Sequence, residues 1–552
     1  MEPESPRSKK PTKPLGKKNP SKLPSSRICI NLSDCKYSVH REVCKELGWR
    51  VIRNDEFNFF CDIIWNDAAV NQDILGTLKP FQKLNHFPGI FTIARKNFLA
   101  FHLKKMAKEF PTFYNFFPET FCVPADRSNL IRFAETCRPN QPFIVKPEAS
   151  SQGKGIFLVR KIDDIPSGDP YVVQRYIDKP MLIDGLKFDL RVYILITSVT
   201  PLTMYMYHEG LGRFATENYT APSQKNLSQM CQHLTNYAIN KGSSKFSVDK
   251  DPLKADSGHK RSLKSVWHSL EEMGFSSEKI IDQIKKIAIK TLCSIQPILS
   301  HIYNSCQPED ITGGMCFEVL GLDIIIDESG KPFLLEVNHA PSFNTDTPFD
   351  NQVKSQLLRD LFKLLDVTIE RRNAIQAQYK QKLEERISQR ISKNIVGGNR
   401  EADRKLYRSK ILEHAANNSG GFSLIYSGHE NTCEPYNSFM SYAQKMHLIQ
   451  TGVLSEKAED KNRQSSKAPL VGARPEKENR PLDNLLRKQL SMCQAEQKLA
   501  TKAQKEKINH SVKRLSLPKQ LSLPLKALFS PEPAQKVEKK EVKPCIVNIG
   551  MF

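Results

Sequence analysis

Three oxygen-bearing side chains in one stretch of the chain, Asp323, Glu336 and Asn338, are of the kind that bind a divalent cation. The stretch 317–338, FEVLGLDIIIDESGKPFLLEVN, has two apolar segments on either side of a polar turn that contains glycine. That pattern predicts a β-hairpin. Carboxylate and amide oxygens suit Mg²⁺, which usually takes one or two carboxylates together with nucleotide phosphates. The chemistry suggested here is therefore a magnesium–nucleotide site.

The register of this hairpin decides whether the three side chains meet. If the turn centres on Ser329 and Gly330, Asp323 lies opposite Glu336. Asn338 then shares their face, because side chains two residues apart on a strand point the same way. A slip of one residue would separate the carboxylates. On the hairpin alone, acidic side chains that simply face water explain the pattern equally well.

Two further stretches could supply positive charge. In KFDLRVYI, strand alternation places Lys187, Asp189 and Arg191 on one face, and a surface ladder of salt bridges is the alternative. In 143–159, FIVKPEASSQGKGIFLV, two strands flank a glycine loop whose backbone N–H groups could approach phosphates beside Lys146. The alternative there is an ordinary hairpin with exposed lysines. The loop is not a P-loop, because a strand follows where a P-loop needs a helix.

Composition narrows the class of protein. The 552 residues carry a net charge of +22, which favours an acidic partner. The 13 cysteines form no CxxC pair, which favours reduced thiols over a disulfide framework or a zinc site. No signal-peptide core opens the sequence, and the longest apolar run, 192–207, predicts two buried strands rather than a membrane span. No sequence pattern of a nucleic-acid-binding motif is found.

Local composition predicts the remaining segments. Residues 208–217 and 233–240 have the pattern of polar turns, and 249–261 that of a mobile hydrophilic loop containing Lys260. Residues 278–306 predict one amphipathic helix. From Ile375 to Ile395, apolar residues recur at every fourth position, and the pattern ends at Gly397 and Gly398. Between 371 and 410 there are twelve Lys or Arg and four Asp or Glu. This pattern favours a cationic helix that docks on an acidic partner over a merely soluble surface helix.

The ordered motifs IVKPEASSQGKGI, VVQRYI, DGLKFDLRVY, HLTNYAIN and FEVLGLDIIID…FLLEVNHAPSF resemble the tubulin tyrosine ligase-like family, and most closely its polyglutamylase branch. The resemblance covers about residues 27–410 and implies an α/β (α+β) chain with an ATP-grasp fold. The expected organisation is a disordered basic arm (1–26), a small N-terminal α/β domain (27–120), a central ATP-grasp subdomain (121–200), a C-terminal ATP-grasp subdomain with the Mg/ATP site (201–366), a cationic helical microtubule-binding segment (367–410) and a mostly disordered basic tail (411–552).

The resemblance also implies roles for individual residues. Those expected to bind ATP are Lys146, Gln152, Gly153, Gln174, Arg175, Tyr176, Ile177, Lys187, Phe188, Asp189, Thr235 and Asn236. Those expected to bind L-glutamate are Arg213, Tyr237 and Lys260, and those facing the acceptor are Gln152 and His339. Asp323, Glu336 and Asn338 would hold Mg²⁺. The catalytic set would be Arg191, Lys146 and Glu336.

The function implied is that of an ATP-dependent amino acid ligase, a tubulin polyglutamylase. It would add free L-glutamate, through an acyl phosphate, to glutamate side chains or existing branches of acidic tubulin tails. Gln152 and His339 are similar to members that elongate chains, so elongation is expected over initiation. A glycylase is the alternative, although Arg213 and Lys260 favour a donor with a side-chain carboxylate; a microtubule-binding protein with an inactive core is another. A monomer without nucleic-acid or membrane partners is expected in the cytoplasm, on the cytoskeleton and at the cilium, its axoneme and basal body.

Overall fold

A computed structural model describes residues 26–148, 153–247, 251, 255–310, 312–391, 400–428 and 434–454. All of them lie in the first of the two units into which the chain divides, 1–475. The strands are β1 (Cys29–Asn31), β2 (Arg50–Ile52), β3 (Ile63–Ile64), β4 (Lys83–Leu84), β5 (Thr120–Val123), β6 (Phe143–Pro147), β7 (Phe157–Val159), β8 (Tyr171–Arg175), β9 (Leu182–Ile183), β10 (Leu186–Val199), β11 (Leu202–Phe214), β12 (Lys260–Ser262), β13 (Glu318–Ile326), β14 (Pro332–Asn338) and β15 (Phe422–Ser427).

The helices are α1 (Ser38–Glu46), α2 (Gln72–Thr77), α3 (Phe91–Ala94), α4 (Lys96–Glu109), α5 (Arg127–Thr136), α6 (Met230–His233), α7 (Tyr237–Asn240), α8 (Leu263–Glu272), α9 (Ser277–Cys293), α10 (Gln296–Cys306), α11 (Pro348–Leu364), α12 (Ile369–Ile391), α13 (Arg400–Asn417) and α14 (Tyr436–Gln450). Among these described helices, none is both long and apolar enough to cross a bilayer.

The strands form three sheets in a mixed α/β architecture. The first is parallel, in the order β2-β1-β3-β4. The second is antiparallel, in the order β5-β8-β6-β7. The third has seven strands, with β12-β11-β10-β13-β14 in sequence and β9 and β15 paired to β10 and β11. The expected alternation of strands and helices at the N-terminus and the expected strand–loop–strand at 143–159 are both present.

The long strand β10 separates two apolar cores. Leu190, Val192 and Ile194 pack into one core, whereas Tyr193 and Leu195 pack into the other. This alternation follows from the period of two of a strand that is covered on both faces. Strand β10 therefore holds its charged residues in a fixed position between two packed layers. The expectation that 192–207 forms two buried strands is confirmed.

Residues 208–217 do not form the expected turn, because β11 continues to Phe214. The glycines that suggested a turn instead permit close packing. A Cβ at Gly212 would lie 2.7 Å from a methyl carbon of Val266, and one at Gly210 would clash with the carbonyl oxygen of Arg191. Glycine in a strand interior is typical of such close approaches. Arg213 is therefore held rigidly on a paired strand rather than on a loop.

Two other local predictions were wrong. Lys260 lies in strand β12, paired with Arg213, and is buried rather than part of a mobile loop. Helix 278–306 is interrupted, because α9 ends at Cys293 and α10 begins at Gln296 with Pro297 in its first turn. Proline fits the first turn of a helix but not its interior.

The folded body extends past residue 411, where the basic tail was expected to begin. Strand β15 pairs antiparallel with β11, and helix α14 packs against α9 and α10. Phe439 of α14 is fully buried among aromatic rings, including those of Phe110 and Tyr114. Residues 1–25 and 455–552, where further disorder was expected, lie outside the described residues.

Candidate active site

The hairpin of β13 and β14 brings the predicted metal ligands together. Asp323 pairs with Glu336 and Gly321 pairs with Asn338, so the predicted register is confirmed. The predicted turn does not produce this register. Next to the turn, Ile326 pairs with Pro332, which is shifted by one residue from the predicted pairing. A bulge at Leu335 restores it, since two residues of β14 there oppose one of β13. Without the bulge, Asp323 would face Leu335 instead of Glu336.

Two arginines join the carboxylates of this sheet face. Arg191 donates from Nε and Nη2 to Asp323, at 2.6 and 3.2 Å. Arg213 donates to both oxygens of Asp189, at 2.6 and 2.7 Å, and its Nη2 lies 2.8 Å from Asp323 Oδ2. Thr235 Oγ1 also donates to Asp189, at 2.6 Å. Such bidentate charged pairs fix both partners in orientation as well as in distance.

Burial and neighbouring charges shift the pKa values of the two carboxyl groups of the hairpin in opposite directions. Burial opposes ionisation of Asp323, but Arg191 and Arg213 outweigh it and hold the pKa of Asp323 well below its usual range. Burial and the nearby Asp323 charge instead raise the pKa of Glu336. Asn338 Nδ2 donates to Glu336 Oε1 over 3.3 Å. In the described part of the chain, no three His, Cys, Asp or Glu side chains converge on a metal site, so a cation held here needs further ligands, such as phosphate oxygens.

Two buried lysines face the same cavity. Lys146 Nζ donates to Gln174 Oε1 at 2.5 Å, and burial lowers the pKa of Lys146 to about 8. Lys187 Nζ donates to the Tyr176 hydroxyl and to the His233 carbonyl, both at 2.8 Å. Burial lowers the pKa of Lys187 to about 7, although the Asp189 charge opposes the shift.

The cavity lies between the second and third sheets. Nine of the residues expected to bind ATP line it: Lys146, Gln174, Arg175, Tyr176, Ile177, Lys187, Asp189, Thr235 and Asn236. Asp323 and Glu336 line it as well. The sequence reasoning missed its apolar walls, formed by Pro118, Ile144, Ile156, Leu234, Ile325 and Leu335, and also missed His233. In the sequence, isoleucine and leucine residues of a strand have the same pattern whether they line a cavity or pack in the core.

The remaining three residues expected to bind ATP, Gln152, Gly153 and Phe188, are not among the described residues that line the cavity. The side chain of Phe188 lies on the opposite face of β10, where it stacks on Phe214 with ring centroids 5.2 Å apart. Gln152 lies outside the described residues. Gly153 has a positive φ of 80°, and a Cβ there would lie 3.2 Å from the side chain of Asn236. The glycine therefore permits a close approach between its loop and the Asn236 segment.

The residues expected to bind glutamate extend from the cavity along β11 and β12. Arg213 pairs with Lys260 on the adjacent strand. The Lys260 ammonium lies 3.9 Å from the ring centroid of Tyr237 and 2.5 Å from Asp350 Oδ2. Asp350 also contacts Lys354 Nζ at 2.9 Å, and neither Asp350 nor Lys354 was identified from the sequence.

His339 lies on the other side of the hairpin, next to the first sheet. Its ring is 5.6 Å from that of His86, and its Nδ1 is buried with no hydrogen-bond partner among the described residues. His86 pairs with the buried Glu318 at 2.8 Å. Burial lowers the pKa of His339 to about 4, and the nearby His86 charge adds to the effect.

The predicted cationic helix exists as α12 and α13, but its described apolar residues are not all docked. Tyr379 of α12 and Leu406 of α13 are 56% and 60% exposed. The start of α12 is attached to the first sheet through the buried pair of Arg372 with Asp62, at 3.0 Å. Residues 392–399, which include the expected glycine end of the helix, lie outside the described residues.

Fixed lysines, arginines and carboxylates around one buried cleft are typical of enzymes that bind phosphate-bearing substrates. Comparison of the sequence with known families identifies one such class. Residues 76–375, more than half of the chain, match the model of the tubulin-tyrosine ligase family. The chain belongs to this family, and membership in this ligase family implies the use of ATP.

Several curated proteins are similar over longer stretches. A probable beta-tubulin polyglutamylase of Tetrahymena thermophila is 45% identical over 427 residues, which cover 77% of this chain and 36% of that protein. Tubulin polyglutamylase TTLL6 of Mus musculus is 36% identical over 547 residues, or 96% of this chain and 64% of that protein. Tubulin polyglutamylase TTLL13 of Homo sapiens is 41% identical over 364 residues, which cover 66% of this chain and 44% of that protein. The chain thus spans between about a third and two thirds of these relatives.

Proposed function

We propose that the protein is an ATP-dependent tubulin polyglutamylase with an ATP-grasp arrangement of its second and third sheets. It would add L-glutamate to glutamate side chains, or to existing branches, of acidic tubulin C-terminal tails. The observation that carries the proposal is the network of Arg191 and Arg213 with Asp189 and Asp323 beside the cavity. A reaction that brings ATP and two carboxylate substrates together needs several fixed cations at one place. The names of the relatives support the choice of substrates.

The chemistry begins with a poor electrophile, the acceptor carboxylate. Transfer of the γ-phosphoryl group of ATP to that carboxylate gives an acyl phosphate and ADP. The amine of free glutamate then attacks the acyl carbon, phosphate leaves, and an amide bond forms with loss of a proton. Lys146 and Arg191 would stabilise the negative charge that develops on the transferred group. The apolar cavity walls would exclude water, which would otherwise hydrolyse the acyl phosphate.

Asp323, Glu336 and Asn338 fit a Mg²⁺ ion. Burial, together with the nearby Asp323 charge, raises the pKa of Glu336. A cation at this place would remove the need for a proton on Glu336. When bound with the nucleotide, Mg²⁺ would neutralise phosphate charge. Lys187 and the segment Gln174–Ile177 would hold the nucleotide in its cavity.

The donor amino acid would lie farther along the sheet, near Arg213, Tyr237 and Lys260. Two cationic side chains in this region suit a donor with two carboxylates better than glycine, which has one. Incubation with MgATP and an equal mixture of labelled glutamate and labelled glycine, followed by mass spectrometry of the tubulin tails, tests the donor and the acceptor together. Preferential glycine incorporation would establish a glycylase, and incorporation of neither amino acid would refute the ligase proposal.

Elongation of existing glutamate branches is proposed over initiation. The support for this is that Gln152 and His339 are similar to the residues of family members that elongate chains. Comparison of unmodified tubulin with tubulin that already carries single glutamate branches tests the preference. Equal or greater activity on the unmodified substrate would refute it.

Microtubules are the proposed partner and location, in the cytoskeleton and at the cilium. The net charge of +22 would attract acidic tubulin tails over a distance limited by salt screening. The basic helices α12 and α13 would form the docking surface, with exposed Tyr379 and Leu406 available for contact. Co-sedimentation with microtubules at rising salt tests this, and binding that does not weaken with salt would contradict an electrostatic surface.

A further inference from the structure

A buried carboxylate lies at the far end of the donor region and is shared by two lysines. Asp350, on the first turn of α11, is fully buried. Its Oδ2 lies 2.5 Å from Lys260 Nζ, and its Oδ1 lies 2.9 Å from Lys354 Nζ. Both lysines are themselves buried. One buried carboxylate is thus shared by two buried ammonium groups.

This cluster continues the charged face of β10. Tyr193 follows Arg191 by two residues and therefore lies on the same face of the strand. Its hydroxyl is buried and has no hydrogen-bond partner in the described structure. An unpaired buried hydroxyl is costly, so the cluster offers a polar ligand both a hydrogen-bonding group and positive charge. The other charged or titratable groups that face the cluster are Asp346, Tyr237, Arg191, Arg213 and Asp323.

We propose that Asp350 is a positioning residue for the donor amino acid, which keeps Lys260 and Lys354 in place and charged so that the site accepts a donor with a second carboxylate. The inference rests on the proposed function, because it assigns Asp350 a part in donor selection. Asp350 does not itself contact the donor in this scheme. It acts through Lys260, whose ammonium it holds against the ring of Tyr237.

The physical reason is the opposition between burial and charge. Burial lowers the pKa of both lysines, and the Asp350 carboxylate opposes that shift in each. Without the carboxylate, two buried ammonium groups would repel each other, and one would lose its proton as the pH rises. The site would then attract a dicarboxylate donor less well at higher pH and recover at lower pH.

The test compares the full-length Asp350→Asn variant with the wild type on tubulin, MgATP and L-glutamate. At about pH 8 we expect the KM for glutamate to rise by about tenfold or more, with kcat within about twofold and ATP affinity unchanged. At about pH 6.5 the ratio of the KM values of variant and wild type should fall by about threefold or more. A KM within twofold of the wild type at both pH values, or an equal rise at both, would overturn the inference.

One control separates this role from a structural one. Asp360→Asn removes another buried carboxylate of α11, one that accepts from the Tyr207 hydroxyl at 2.9 Å. The control should lower the unfolding temperature and leave the pH profile of KM as in the wild type. A pH-dependent rise of KM in the control would show a loss of structure rather than of positioning, and would overturn the inference.

A second substitution covers the case in which Asp350→Asn does not fold. Asp350→Glu keeps the charge but moves the carboxylate, so it should raise KM while leaving the KM ratio between the two pH values unchanged. An unchanged KM in Asp350→Glu overturns the inference. If the wild type incorporates no glutamate, the proposed function and this inference both fail; if only the variants behave otherwise than expected, the inference alone fails.

Discussion

The low pKa of Lys187 predicts that ATP affinity depends on pH across the neutral range. Its ammonium is buried in the proposed nucleotide cavity, with the Tyr176 hydroxyl and the His233 carbonyl as hydrogen-bond acceptors. Burial lowers its pKa to about 7. Below that pKa the group is charged and attracts phosphate; above it the group is neutral. Affinity should therefore fall as the pH rises.

The size of the effect follows from the fraction of Lys187 that is charged. With a pKa of about 7, about nine tenths of the protein carries the charge at pH 6 and about 3% at pH 8.5. If only the charged form binds ATP tightly, the apparent Kd scales with the inverse of that fraction and rises by about 30-fold, or about 2 kcal/mol. Binding at about pH 8 should also take up a proton, because phosphate favours the charged lysine.

Titration calorimetry with ATP at constant ionic strength, between pH 6 and 8.5, measures both quantities. Two buffers of different ionisation enthalpy report the proton uptake. Lys187→Met is the control, since it keeps the volume of the side chain but cannot titrate. Its binding of ATP should be weaker, and its Kd should rise less with pH, because only Lys146, whose pKa is about 8, still loses its charge in this range. The titration of the nucleotide itself is common to both proteins and cancels in their ratio. A wild-type slope equal to that of Lys187→Met would refute the reasoning.

Three further predictions concern the metal site and the C-terminal part of the fold. Glu336→Gln should abolish glutamate incorporation, measured by mass spectrometry, while microtubule co-sedimentation stays nearly unchanged, because it removes a proposed Mg²⁺ ligand; unchanged incorporation would contradict that assignment. Phe439→Ala should lower the free energy of unfolding by about 3–5 kcal/mol in denaturant titrations, because the ring is fully buried. Leu424→Ala removes a side chain that is 51% exposed and should change the free energy of unfolding by less than about 1 kcal/mol. A loss for Phe439→Ala as small as that for Leu424→Ala would show that α14 is not part of the core. A chain ended after Asn418 should melt at a lower temperature in calorimetry, because it lacks β15 and α14, and an unchanged melting temperature would contradict their packing.

The hairpin of β13 and β14 shows how much of the candidate site could be predicted from the local sequence pattern. Asp323 and Glu336 were expected to face each other, and they do. The expected turn was out by one residue, and the bulge at Leu335 compensated for it. Nothing in FLLEVN distinguishes a bulged strand from a regular one, because a bulge depends on how the whole sheet twists and packs. The pairing of the two carboxyl groups was thus predicted correctly for a partly wrong reason.

For Arg213 and Lys260, the residue types indicated candidate site residues, but the local structures predicted for them were wrong. Glycines around Arg213 and polar residues before Lys260 are turn-like in sequence. Both residues nevertheless lie on paired strands, since close packing of Val266 on Gly212 and the buried ion pair with Asp350 determine the conformation there. Tertiary contacts override local preference in such segments.

The sequence by itself determined the residue types and periods: the alternation of Lys187, Asp189 and Arg191, the hairpin with its two carboxylates, and the basic helix. These features are visible because a strand or helix repeats its buried face every few residues. Only the tertiary structure decided that Asp350 pairs with Lys260, 90 residues away, and that β15 completes the edge of β11. Such long-range partners leave no local period, because their choice depends on which surfaces the rest of the fold brings together.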